Sequence, residues 1–322
     1  MNAKDVILDL FDSYRELTVK EITDRVKYSK QMTHKVVKHL LESKKIERIG
    51  YPPKILYRLI SDPRPNQHLP NLSRQYAEFL RDIFMVVTDT GDLLEGKAAF
   101  AYWCRRRSMP LEKALAEFMS IRQKYARYYD HYGTVDGVGK LKKTMGSDKM
   151  RLDHLHYLDF DEIEQFGKTC LGTLVHYSKQ GQNKRLMSRL MDRINIPIGV
   201  LLEHINADAI GFIPPAIRRE AQLMKYLQTY LDVPLPIVEI RRINGLIPIP
   251  QQSLSKLDER IKNADNSFTV AGRRNFEHLV LIDDVVDSGA TLNAVAAKIK
   301  TKNIANVVTG LAIVGPSNHP TA

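Results

Sequence analysis

Residues 278–293 read His278-Leu279-Val280-Leu281-Ile282-Asp283-Asp284-Val285-Val286-Asp287-Ser288-Gly289-Ala290-Thr291-Leu292-Asn293. Leu279 to Ile282 is a continuous apolar run, too short for a helix, and reads as a strand buried on both faces. Two adjacent acids close it. A turn of small residues follows, and then a helical run from Leu292 to Lys300. Gly289 lets backbone approach a ligand closely and tolerates positive φ. Ser288, Ala290 and Thr291 fall where a helix begins, with unpaired N–H groups and a positive dipole end.

Such a turn is an anion site suited to phosphate, to which Ser288 and Thr291 add hydroxyl donors. Asp283 and Asp284 would repel phosphate. They suit vicinal sugar hydroxyls, or a Mg²⁺ ion that also holds phosphate oxygens. A ligand with a phosphate, a diol and a metal-bound pyrophosphate fits all of these requirements, and 5-phosphoribosyl-1-pyrophosphate (PRPP) is one. An ordinary strand-to-helix turn capped by Asp and Ser would not need two acids at the end of an apolar strand.

The stretch resembles the PRPP-binding motif of type I phosphoribosyltransferases: four apolar residues, two acids, a short spacer, then Thr/Ser-Gly-x-Thr. The resemblance implies that Asp283 and Asp284 bind the ribose hydroxyls, with metal contact direct or indirect. It implies that Asp287, Ser288, Gly289, Ala290 and Thr291 cradle the 5′-phosphate. Asp287 holds the place of that family's candidate general base, which makes it the expected catalytic residue.

The chain has 322 residues and a formal net charge of +11. The length allows two or three domains, and the charge suits an acidic partner, nucleic acid being the common one. Two cysteines, Cys104 and Cys170, argue for a reducing compartment without a disulfide framework. No apolar run reaches transmembrane length and the N-terminus is not a signal peptide, so a cytoplasmic protein without membrane attachment is expected.

Residues 1–60 carry 13 Lys/Arg against 8 Asp/Glu. Ile7 to Phe11 mark a first helix. Thr18 with Glu21 forms a capping-box pattern before a second, and Gln31 to Ser43 form a third, with Val36, Val37, Leu40 and Leu41 facing in. Two short alternating strands follow, around Gly50-Tyr51-Pro52-Pro53-Lys54. Three helices and a hairpin resemble a winged helix-turn-helix domain, which implies nucleic-acid binding. Gln31, Thr33 and His34 would then reach base edges, Lys30, Lys35 and Lys38 the phosphates, and Arg48 and Lys54 the backbone beside the hairpin tip. Winged helices also serve as protein-interaction modules.

Residues 61–71 read as a linker, with three prolines between 61 and 70. Residues 72–150 read as a helical connecting region with a Gly/Lys-rich loop at 133–149. Its basic and aromatic mixture, Arg105 to Arg107 and Lys124 to Tyr132, suits either nucleic-acid stacking or a helix–helix interface, and the second is favoured. Residues 151–322 alternate strands and helices. The expected fold class is α/β: a mostly parallel sheet of phosphoribosyltransferase type, preceded by the α-rich middle and the N-terminal winged helix.

The C-terminal part looks most like the competence-protein F (ComF-type) branch of that family. The residues that carry the likeness are Ile213-Pro214-Pro215 with Arg218 and Arg219, then Arg241-Arg242, Gln251-Gln252, Arg260 to Asn263, and Phe268. The likeness implies a pyrophosphate loop at 214–219, with Pro215 in the turn and Arg218, Arg219 and Arg241 facing pyrophosphate. The sequence departs from the pattern after the Pro turn, where Arg219-Glu220-Ala221 replaces Arg-Gly-Phe-Asn. Three functions follow. The first is a Mg²⁺-dependent phosphoribosyl transferase. The second is a PRPP- or nucleotide-sensing regulator that does not turn its ligand over. The third is an effector in a nucleic-acid-containing complex such as those of phage defence. A homo-oligomer or larger assembly is compatible with each.

Overall fold

The computed structural model describes residues 3–14, 16–26, 28–43, 45–49, 55–59, 72–89, 91–215, 217, 219–243, 267–272 and 274–317. The chain divides into two compact units, one of residues 1–72 with 87–92 and one of 73–86 with 93–322.

In the first unit, helices α1 (Ala3–Ser13), α2 (Val19–Val26) and α3 (Lys30–Glu42) precede strands β1 (Ile46–Ile49) and β2 (Leu56–Leu59). The strands pair antiparallel, Ile46 opposite Leu59 and Ile49 opposite Leu56. Leu17, between α1 and α2, exchanges backbone bonds of 3.0 and 2.8 Å with Tyr57. Helix α2 starts on the expected capping box: the Thr18 amide donates to Glu21 Oε2 at 2.8 Å, and the Glu21 amide to Thr18 Oγ1 at 3.2 Å. Ile7, Phe11, Ile22, Val26, Val36, Val37, Leu40 and Ile46 close one apolar core.

In the second unit, α4 (Arg74–Ile83), strands β3 (Met85–Val87) and β4 (Leu93–Glu95), α5 (Gly96–Arg106) and α6 (Leu111–Ala126) come first. Next are β5 (Val135–Asp136), α7 (Val138–Met145), β6 (His154–Phe160), and the small strands β7 (Glu162–Ile163) and β8 (Gly167–Lys168). Helices α8 (Cys170–Gly181) and α9 (Lys184–His204) lead to β9 (Ala209–Phe212), α10 (Leu223–Tyr230), β10 (Glu239–Arg242) and β11 (Phe268–Ala271). The unit ends with β12 (Phe276–Val285), α11 (Ala290–Thr301) and β13 (Ala305–Gly315).

The central sheet has the order β5-β6-β13-β12-β9. All neighbours are parallel except β5 against β6. Alternation along β12 assigns its two faces. Val280 and Ile282 point into a core shared with Leu174 and Val175 of α8, Leu190 and Ile194 of α9, and Leu223 and Leu227 of α10. On the other face, any side chain added at Gly310 of β13 would meet Leu152, Leu155 and Leu292 of α11. Helices therefore cover both faces, as the unbroken apolar run of β12 requires.

The stretch 133–149, expected to be a loop, holds β5 and α7 instead. Val135 is fully buried and pairs with Tyr157 at the sheet edge. Tertiary pairing overrides the loop-like composition here. In the basic-aromatic mixture of the middle region Tyr125 is buried, while Arg105, Arg106, Arg107, Lys124 and Arg127 are exposed and some of them pair with neighbours of their own unit. Arg107 lies 4.4 Å over the ring of Trp103, and Lys124 bonds Glu164 at 2.7 Å. No described helix is long and apolar enough to cross a membrane.

Candidate functional site

Strands β9 and β12 lie side by side and parallel, Leu279 opposite Ala209 and Ile282 opposite Phe212. The chain leaves both at the same edge of the sheet. The Pro214-Pro215 turn after β9 therefore stands beside the 286–290 turn after β12, at the carboxyl ends where such sheets bind ligands. Between them lies a cleft of about 240 Å³. Its lining includes Asp283, Asp284, Asp287, Ser288, Gly289, Ala290 and Thr291 from one side, and Pro215 and Arg219 from the other. The seven residues singled out from residues 283–291 share one cavity.

Gly289 adopts φ +74° at the start of α11, and a Cβ there would approach Leu141 of α7 to 2.6 Å. The positive φ requires glycine at this position, and Leu141 fills the space that a side chain would take. Asn293 of α11 fixes the segment between α7 and β6 from below. Its Oδ1 accepts from the amides of Arg151 (2.7 Å) and Leu152 (3.1 Å), and its Nδ2 donates to the Lys149 carbonyl (2.9 Å). Helix α7 is thereby held against the 286–290 turn.

Asp284 is 6 % exposed. Its position on β12 has the parity of Val280 and Ile282, so its side chain falls on the face covered by α8. There Lys179 meets it, Nζ lying 2.9 Å from Oδ1 and 2.8 Å from Oδ2. Burial alone would lower the Lys179 ammonium, but the Asp284 carboxylate outweighs it and holds the ammonium above its usual value. Asp283 accepts the Asp284 amide at 2.8 Å. Burial of its carboxyl, and then the neighbouring Asp284 charge, push Asp283 up to about 7. Asp287 is exposed at the cleft mouth. Lys140 of α7 stands near enough to feel it: burial lowers the Lys140 ammonium while the Asp287 carboxylate acts the other way.

On the Pro-turn side the expectations divide. Arg219 lines the cleft, but its guanidinium is directed at the end of α8, donating to the Lys179 carbonyl and, at 3.2 Å, to Gln180 Oε1. Arg241 does not face the cleft. Strand alternation turns it to the far side of β10, where it forks onto Glu239 at 2.6 and 2.8 Å. Its neighbour Arg242 takes the cleft side, lying 5.0 Å over the ring of Phe268, and both line the cavity. Arg218, Gln251, Gln252, Arg260 and Asn263 lie outside the described residues.

Reading the sequence did not single out Lys179, and it turned Arg241 toward the cleft, whereas Arg242 is the one that lines it. Period-two parity carried the second signal. The first needed the knowledge that α8 covers the even-numbered face of β12.

In the first unit, Lys30, Gln31, His34, Lys35, Lys38 and Arg48 are exposed. Lys38 lies 3.9 Å from Glu42. Thr33 corrects the expectation: it is fully buried and its hydroxyl bonds the Ser29 carbonyl at 3.2 Å. It shares the inward helical face of Val36, Val37 and Leu40, so it cannot reach a base edge. Lys54 lies outside the described residues.

No family model matches this chain, and no curated protein matches it. Solved structures do. An adenine phosphoribosyltransferase aligns over 42% of this chain and 74% of its own, at 13% identity and a TM-score of 0.29. A purine phosphoribosyltransferase from Pyrococcus horikoshii Ot3 aligns over 41% and 77%, at 18% identity and a TM-score of 0.25. A hypoxanthine phosphoribosyltransferase from Staphylococcus aureus aligns over 41% and 66%, at 15% identity and a TM-score of 0.26. Likenesses this weak carry no functional weight, and function rests on the side chains of the cleft.

The raised Asp283 carboxyl has a consequence for stability. Between the ordinary carboxylate range and about pH 7, the folded chain holds a proton that the unfolded chain has released. Its contribution to stability is complete at low pH and is lost as pH rises through that window. Asp283→Asn should therefore raise the melting temperature more at pH 8 than at pH 4.5. A variant that melts below the wild type at pH 8 would show that Asp283 carries no such burden.

Proposed function

We propose that this chain binds PRPP in the cleft between β9 and β12 and transfers its phosphoribosyl group. The observation that carries this reading is the single cavity shared by Asp283, Asp284, Asp287 and the Ser288–Thr291 turn, with Pro215 and Arg219 opposite. The 5′-phosphate would lie against the backbone N–H groups opening α11, where Gly289 leaves no side chain in the way. The ribose diol would donate to the carboxylates of Asp283 and Asp284. Asp287 would take the acceptor's proton, or stabilise charge at C1, as pyrophosphate departs. Lys179 and Arg242 would stand on the pyrophosphate side, in place of Arg241.

The donor set fits a Mg²⁺ that arrives on pyrophosphate. Among the described residues no group of three His, Cys, Asp or Glu side chains builds a cage, and Asp284 is bonded to Lys179. Asp283 and pyrophosphate oxygens, completed by water, match what Mg²⁺ takes. An ion held there would supply charge neutralisation for the departing pyrophosphate.

A regulator that binds PRPP or a nucleotide without turnover is the second reading. It is favoured by Arg219 and Arg241, both bonded within the protein rather than directed at the cleft. The first unit would then act as a winged helix on nucleic acid, through Lys30, Gln31, His34, Lys35, Lys38 and Arg48. Ligand binding would bias that contact only by favouring one arrangement of the chain over another. Membership of a homo-oligomer or a defence complex, and a cytoplasmic location, are further proposals that fit either reading.

Pyrophosphate release from PRPP with Mg²⁺, assayed with and without nucleobases, separates the two. Transfer predicts release that falls at least a hundredfold in Asp287→Ala while PRPP still binds. Binding without release in the wild type favours the regulator. Retained binding in Asp283→Ala/Asp284→Ala contradicts both. For the first unit, replacing Lys30, Lys35 and Lys38 with Ala should weaken DNA retention and flatten its salt dependence, the slope falling by about 0.9 for each phosphate that is no longer neutralised. An unchanged slope would point to a protein partner.

A further inference from the structure

We propose that Lys179 is a ligand-contacting specificity residue: its bond to Asp284 makes the cleft select a molecule that presents a ribose diol and an anionic group at C1 together. This rests on the PRPP reading above.

Lys179 and Asp284 come from different elements, helix α8 and strand β12, and both line the cleft. The ammonium reaches both carboxylate oxygens, at 2.9 and 2.8 Å, with the lysine side chain 36% exposed and the aspartate side chain 9%. Each partner satisfies the other. A ligand that takes the ammonium strands the Asp284 carboxylate in a poorly solvated place, which is costly for a charge, and one that takes the carboxylate leaves a part-exposed ammonium without its partner. A sugar diol alone can donate to Asp284 but leaves the ammonium without a partner. Pyrophosphate alone can accept from Lys179 but leaves a bare carboxylate beside new negative charge. A diol and a C1 pyrophosphate on one ribose satisfy both halves at once, the hydroxyls replacing Lys179 on Asp284 and phosphate oxygens replacing Asp284 on Lys179.

The local structure suits such an exchange. Arg219 donates to the Lys179 carbonyl and to Gln180 Oε1, and so anchors the backbone under the lysine while leaving its side chain unbonded by Arg219. A lysine stem is flexible and its three donors have no fixed plane, so the ammonium can turn between partners. A guanidinium fork would lock onto the carboxylate.

Titration calorimetry with Mg²⁺ tests this on the full chain with three probes: PRPP, ribose 5-phosphate and inorganic pyrophosphate. The proteins are the wild type, Lys179→Arg, and the double variant Lys179→Met/Asp284→Asn. The double variant removes both charges together and so avoids an unpaired one, and a cooperative thermal melt confirms that it folds. The wild type should bind PRPP at least a hundredfold more tightly than either fragment. The PRPP to ribose 5-phosphate affinity ratio should fall at least tenfold in the double variant, and Lys179→Arg should also lower it. A folded double variant whose ratio falls less than threefold overturns the inference and leaves PRPP binding standing. A wild type that binds none of the three probes overturns the PRPP reading and this inference with it.

Discussion

The parallel pairing of β9 with β12 is the constraint on which the site depends. Four register pairs, Leu279–Ala209 through Ile282–Phe212, bring two otherwise distant turns to one edge of the sheet. Neither turn makes a site by itself. The 286–290 turn offers N–H groups and hydroxyls, and the Pro214-Pro215 turn offers a second wall. Only two parallel strands side by side, both buried by helices, set those walls facing each other across a cleft.

Parity then distributes the chemistry. Because successive residues of a strand point to opposite faces, the two adjacent acids cannot share one environment. Asp284 shares the face of Val280 and Ile282, meets α8, and is bonded to Lys179. Asp283 falls on the opposite face, where burial and then the neighbouring Asp284 charge raise its carboxyl to about 7 against the opposing pull of Lys179. Two identical side chains thus have different surroundings. A carboxyl raised in this way marks sites where charge is to be used rather than merely solvated. The same rule decides the arginines of β10, turning Arg241 to Glu239 and Arg242 to the cleft.

Much of this was legible from residue order. The apolar run 279–282, the acids that end it, the small-residue turn and the helix beyond are local features, and local features survive without knowledge of the fold. The capping box at Thr18 and Glu21 was legible for the same reason. Lys179 was not, because it lies 105 residues from Asp284 and nothing local marks it. Helix α7 was not either: its Gly- and Lys-rich sequence reads as a loop, and it forms because Leu141 packs on Gly289 and Asn293 ties down the segment behind it. Thr33 failed differently. Its polarity suggested a base contact, while its spacing from Val36, Val37 and Leu40 already placed it inward.

The central proposal is geometric: one cleft would grip the phosphate and the diol of one phosphorylated sugar. A crystal structure of the full chain grown with PRPP and Mg²⁺ tests it most directly. The account predicts density with the 5′-phosphate against the amides of Ser288 to Thr291, and the ribose hydroxyls on Asp283 and Asp284. Ligand density elsewhere, or a phosphate seated away from the Gly289 turn, would contradict it.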